Sequence, residues 1–268
     1  MTRNLIILIV IGLFAIVTVE NSFAQSDLKK AKERVEEKKG RDKNSISIGV
    51  MELYIPEYEG ADDYNEVIYP IIEIKYDRYF FSANKGLGMF LWKSKYIQLS
   101  TAVGYEFGRD EDDSDDLNGL GDVESGAKGN VALKIKLGML RLDAGYEKQF
   151  TGENTGFKLN YGLGLILPLN KAFIVMTGVK ATYANDKYME KYFSVNSTQS
   201  SRSGLAVYNA EAGFKSVEAN IVGMLHLDEN WTLQVIGNYK RLISDAVDSP
   251  IVKDRDQFIS SLGLSYKF

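Results

Sequence analysis

One feature constrains this chain more than any other. From Ser45 to its end it alternates bulky apolar with small or polar residues, over runs too long for an ordinary sheet. Between Tyr96 and Arg109, Ile97, Leu99, Thr101, Val103, Tyr105 and Phe107 fall on one face. Gln98, Ser100, Ala102, Gly104, Glu106 and Gly108 fall on the other. Successive side chains point to opposite faces of a strand, so this is a strand with one apolar face and one small, polar face. The split recurs around Val131–Leu137, Leu140–Tyr146, Phe157–Leu165, Phe173–Val179 and Phe258–Phe268. Strands of soluble proteins average about five or six residues. Ten residues at about 3.3 Å each, tilted by about 40°, rise roughly 25 Å, the height of the apolar band of a membrane barrel.

Two further features separate a transmembrane barrel from a soluble sandwich. Connections alternate in length: short at Met139, Pro168–Lys171 and Asp228–Asn230, long at 110–124, 185–207 and 243–256, with 151–155 a shorter member of the long side. Short periplasmic turns facing longer outer loops is the outer-membrane arrangement. The polar faces also carry charges that a sandwich core could not bury but a barrel lumen can hold, paired or wet. The predicted lumen charges are Glu106, Lys134, Lys136, Arg141, Asp143, Glu147, Lys158, Lys180, Lys215 and Lys240. Aromatics close to strand ends on the apolar face, among them Phe107, Phe150, Phe157, Phe173, Trp231 and Phe258, match interfacial girdles. The reading is therefore all-β: a closed antiparallel up-and-down barrel over 45–268. The stretch 66–93 is too long for one span, and only one or three strands there keep the long loops on one side, so the count is ten or twelve. Pro70 belongs at an edge or a bulge.

The N-terminus supplies an address. Arg3 precedes an apolar run from Leu5 to Val19, followed by Asn21-Ser22-Phe23-Ala24. The run is short for a membrane helix, which needs about 20 apolar residues, and the pattern reads as a secretory signal over 1–24, cut between Ala24 and Gln25. Residues 25–44, rich in charge, read as a periplasmic arm. The whole chain carries a net charge of −4, which gives no nucleic-acid footprint, and it contains no cysteine, which excludes disulfides and thiolate metal sites. The last strand ends in Tyr266 and Phe268, the predicted barrel-assembly signal read by the assembly machinery.

Several motifs together resemble the MipA/OmpV family of outer-membrane proteins: Tyr58-Glu59-Gly60 before Val67-Ile68-Tyr69-Pro70; Arg78-Tyr79-Phe80-Phe81 with Gly86-Leu87-Gly88; Gly108-Arg109-Asp110 with Leu117–Val123; Tyr188–Val195; Ser203-Gly204-Leu205; Tyr239–Val252; and the closing Leu264–Phe268. The charged arm is not part of that pattern. The resemblance implies a non-enzymatic barrel in the outer membrane, surrounded by lipid and lipopolysaccharide. It also implies a scaffold linking a murein hydrolase to a murein synthase in peptidoglycan maintenance.

Two constellations invite other chemistry. The acidic stretch Asp110–Asp116 suggests calcium but lacks the EF-hand glycine spacing, so a solvated outer loop is favoured and neither metal nor cofactor is expected. His226, the single histidine, falls at the periplasmic end of its strand, away from where outer-leaflet hydrolysis would need a base, and reads as structural. The alternative function is a small-solute channel through the charged lumen. Ten to twelve strands leave little free bore, which favours a filled interior.

Overall fold

A computed structural model describes residues 44–152 and 156–268; the signal segment, the cleavage site at Ala24 and Gln25, and nearly all of the charged arm lie outside the described residues. Twelve strands close into one antiparallel barrel in sequence order: β1 (Asn44–Pro56), β2 (Tyr64–Tyr76), β3 (Tyr79–Ser82), β4 (Gly86–Lys93), β5 (Ile97–Glu106), β6 (Gly126–Leu137), β7 (Leu140–Gln149), β8 (Phe157–Pro168), β9 (Phe173–Ala184), β10 (Gly213–His226), β11 (Trp231–Leu242) and β12 (Asp256–Lys267). Of the two counts the sequence allowed, twelve is correct, because 64–93 folds as three strands. β12 pairs with β1 from Lys267 opposite Ser47 to Ser260 opposite Tyr54, and the Phe268 N–H donates to the Ile46 carbonyl at 2.9 Å. No helix among the described residues is long and apolar enough to cross a membrane; the strands cross instead.

The alternation sets which way each strand faces. On β1, Ile46, Ile48, Val50 and Tyr54 point outward and are exposed, while Ser45, Ser47, Gly49 and Met51 face the lumen. The same outward band includes Val103, Tyr161, Val179 and Leu262. Such a continuous apolar surface is intolerable in water and is what lipid requires. At the periplasmic rim Trp231 stacks edge-on to Tyr266 (5.0 Å between ring centroids), and Tyr266 to Phe268 (4.9 Å), forming an interfacial anchor at the closing seam.

The connections at that rim, 77–78, 94–96, 138–139, 169–172 and 227–230, are all tight turns, and the β3–β4 turn 83–85 is the tight one on the outer side. β6 and β7 are joined by Gly138 and Met139 alone; Gly138 has φ of +67°, which a two-residue hairpin needs and which glycine adopts without steric cost. At the opposite end the long connections run 107–125, 185–212 and 243–255. The strand read from Tyr96 to Arg109 is shorter than the alternation suggests. It leaves the wall at Phe107, because Arg109 forms an isolated bridge with Val123 and is drawn into the mouth.

Pro70 stands opposite Val50 in the β1–β2 ladder, yet β3 reaches only as far as Glu73. The Ile72 carbonyl accepts from the Ala83 N–H, so the backbone groups of even-numbered β2 residues point toward β3. The N–H that proline lacks therefore falls on a side where no strand is waiting, which is why a proline is tolerated in mid-strand.

Candidate functional site in the barrel mouth

The apolar core of this protein is not in the barrel but in its outer loops. The β9–β10 connection carries two helices, α1 (Asp186–Phe193) and α2 (Ser197–Ser203). Asn196 caps α2, its side chain accepting from the Thr198 and Gln199 N–H groups, and Gly204 closes it in the left-handed conformation. α1 turns Tyr188, Met189, Tyr192 and Phe193 into a buried cluster with Val123, Ala184, Ala210, Leu242 and Ala246. A second cluster joins Tyr58 and Ala61 to Leu117, Leu120, Val195 and Ile251. Buried polar bonds lock the loops together. The Arg109 Nη1 donates to the Tyr192 carbonyl (3.1 Å), the Ser249 hydroxyl to the Phe193 carbonyl (2.6 Å) and the Tyr58 hydroxyl to the Ile251 carbonyl (2.9 Å). Four connections thus form one packed plug across the outer mouth.

Beneath the plug lies a polar cavity of about 370 Å³. Glu106 on β5 accepts from Lys128 of β6 at 2.8 Å and pairs with Lys158 of β8 at 3.5 Å; Glu147 of β7 lies 3.9 Å from both lysines and accepts from the Asn160 amide at 2.9 Å. Across the lumen Lys180 pairs with Glu218 at 2.9 Å. Glu59, carried in by the β1–β2 loop, holds both Lys215 and Lys240, the latter at 3.2 Å. The Lys158 and Lys215 ammoniums also lie over the Tyr188 ring, 5.0 and 5.3 Å from its centroid. Burial opposes ionisation of Glu59, but the adjacent Lys215 and Lys240 outweigh it and hold its carboxyl well below the usual range. Burial, reinforced by Glu59, pushes the Tyr188 phenol well up, so it is a neutral lid over the charges.

The predicted lumen charges separate into two groups. Glu106, Glu147, Lys158, Lys180, Lys215 and Lys240 meet in this network. Lys134, Lys136, Arg141 and Asp143 occupy β6 and β7 nearer the periplasm, where the Arg141 Nε donates to Asp143 at 2.6 Å. Sequence reading missed Glu59, Lys128, Glu218 and Arg109. Lys128 and Glu218 share the face of Lys134 and Lys180 and were findable by extending the alternation; Glu59 and Arg109 are loop residues with no periodic signal. His226 faces the lumen at the periplasmic end, its Nδ1 2.9 Å from the Thr232 hydroxyl. Three carboxylates of the acidic stretch, Glu111, Asp113 and Asp116, are engaged in separate loop contacts. Glu111 accepts from the Gly121 N–H and pairs with Arg202 at 3.3 Å, and Asp116 pairs with Lys253 at 3.0 Å. Among the described residues no three histidine or carboxylate groups gather as a metal would require.

Set beside known proteins, residues 48–268 match the family described as "MltA-interacting protein MipA". The chain belongs to the MipA family. A relative in Escherichia coli K12, named "MltA-interacting protein", is 24% identical over 225 residues, covering 77% of this chain and 84% of that one. "Putative outer membrane protein YiaT" of the same organism is 24% identical over 237 residues, covering 84% and 92%. Among solved structures the KdgM porin aligns with a TM-score of 0.42 at 8% identity, over 83% of this chain and 99% of that one. This MipA-family protein is accordingly an outer-membrane barrel, and its wall of outward apolar residues faces lipid.

Proposed function

We propose that this MipA-family barrel is a scaffold of the cell envelope rather than an enzyme or an open pore, and that it holds a murein hydrolase and a murein synthase at the inner face of the outer membrane. The observation that supports it is the closed mouth: four loops pack into a plug, and below it four glutamates and five lysines are joined in ion pairs. A filled barrel presents its periplasmic rim as the surface open to soluble partners. That rim exposes Tyr96, Met139, Leu169 and Leu227, the kind of apolar residue that anchors a protein interface. The relative's name, MltA-interacting protein, supplies the partner class. Affinity capture from gently solubilised envelopes, with the mature protein as bait, tests the proposal. Recovery of a murein hydrolase together with a synthase supports it. Recovery of neither, under conditions that preserve a control envelope complex, refutes it. Rim variants such as Leu169→Asp are expected to lose the partners while the barrel still folds.

The polar cavity of about 370 Å³ favours a second reading, a narrow channel for small polar solutes. Conductance separates the two.

A further inference from the structure

The barrel wall is incomplete on one side. β3 has four residues, which at about 3.3 Å each and a tilt of about 40° rise roughly 10 Å of a ~25 Å band. β3 pairs with β2 only from Glu73 to Tyr76, so Tyr64–Ile71 of β2 has no strand on that side. Neither β4 nor β5 packs against this part of β2 in its place. The result is a lateral window in the outer-leaflet half of the wall, with Ile68 (70% exposed) on one lip and Leu87 (65%) on the other.

An unpaired edge normally invites another strand. This edge is interrupted at its middle. Pro70 removes the donor that would face the window there, while the even-numbered Ile68 and Glu66 keep theirs, so the edge offers another strand an incomplete row of bonding groups. Asn65 and Glu66, both exposed, lie toward the outer end of the edge, where headgroups and water can meet them. Behind the window the lumen changes character. Met51 and Leu53 of β1, Val67, Tyr69 and Ile71 of β2, and Phe80 and Phe90 face inward here by their strand registers; the two phenylalanine rings lie 5.0 Å apart, and the Tyr69 hydroxyl donates to the Ala83 carbonyl at 3.2 Å, tying β2 to the β3–β4 turn at the window's lower end. The strand charges of the network lie on β5 to β11; Glu59 enters from the β1–β2 loop above the window, and the Glu73–Lys75 pair lies below it on β2. The apolar lining behind the window is therefore continuous, through it, with the lipid-facing surface of the wall.

We infer that the window between β2 and the β3–β4 hairpin admits an acyl chain of an outer-leaflet lipid into the apolar sector of the lumen. The occupant follows from that continuity: lipid already covers the outer lips, and an aqueous solute would gain nothing from the lining. The inference is independent of the scaffold proposal and concerns the opposite leaflet.

The chain has no cysteine, which makes site-directed spin labelling direct. Val67→Cys and, at the window's floor, Ile71→Cys place a nitroxide on the inward face of β2. Leu133→Cys marks the lipid-facing side of β6 and Ala132→Cys its lumen side. The full-length mature barrel is reconstituted in dioleoylphosphatidylcholine vesicles, and collisions with apolar oxygen and with a water-soluble nickel chelate are compared. The label at 67 or 71 is expected to show an oxygen-to-nickel ratio matching Leu133→Cys and severalfold above Ala132→Cys. A ratio like that of Ala132→Cys means a wet lumen and overturns the inference. Shielding from both reagents means that protein, either another segment or a second copy, fills the window, and overturns it equally.

Discussion

Glu59 is the keystone of the mouth, and replacing it with glutamine has a calculable cost. The substitution keeps the shape but removes the only carboxylate seen to hold Lys215, and one that also holds Lys240. The Lys215 side chain is 5% exposed and that of Glu59 18%, so neither charge is relieved by bulk water. Breaking a buried pair on one side costs about 3–5 kcal/mol. The cavity beside Glu59 is polar, which argues for the lower end, about 3 kcal/mol, or roughly a hundredfold in the folding equilibrium. Urea unfolding of the reconstituted protein, followed by the fluorescence of Trp92 and Trp231, measures it. Glu111→Gln, which removes the exposed pair with Arg202, is the control and is expected to cost at most about 1 kcal/mol. The pH dependence has a definite sign. Glu59 titrates below its ordinary value in the folded state, so its contribution is complete above the unfolded value of about 4.3 and is lost as pH falls through the folded one. The difference between wild type and Glu59→Gln should be constant from neutrality to about pH 5 and shrink in stronger acid. A cost no larger than the control, or a difference unchanged down to about pH 3, would refute the assignment of Glu59 as the counter-ion of both lysines.

Arg109→Met should lose the bond to the Tyr192 carbonyl, cost about 1–3 kcal/mol and speed proteolytic cleavage within 185–212, read by limited proteolysis of vesicle-embedded protein. Excising 186–203 with a short Gly-Ser bridge should remove both helices of the plug without touching a strand, and ion flux through reconstituted vesicles should rise above wild type. Deleting Phe268 should remove the terminal aromatic contact with Tyr266 and the proposed assembly signal; less protein should fractionate with the outer membrane and show the heat-modifiable gel shift of folded barrels.

The barrel was legible because a membrane wall imposes one rule, apolar out and small or polar in, and Ile97–Glu106 or Leu140–Glu147 obey it throughout. The rule weakens where the wall itself does. Between Tyr64 and Lys93 a four-residue strand, a register shift between Phe90 and Trp92, and inward phenylalanines blur the period, and the sequence left ten and twelve strands both open. The plug was invisible for a different reason. Loop residues carry no period, so nothing in Tyr58-Glu59-Gly60 or Gly108-Arg109 tells that Glu59 would reach Lys215 or that Arg109 would bind a carbonyl of α1. The charges of the strands were found as a set, but their division into an outer network and a periplasmic group depends on strand shear, which alternation does not encode.

Single-channel recording of the refolded, full-length mature protein in planar bilayers decides whether the loops plug this barrel. A plugged barrel gives no steady unitary conductance in the wild type, and steps appear once 186–203 is excised. Steady unitary steps from wild type, unchanged by that excision, would contradict it and make the charged lumen a conducting path.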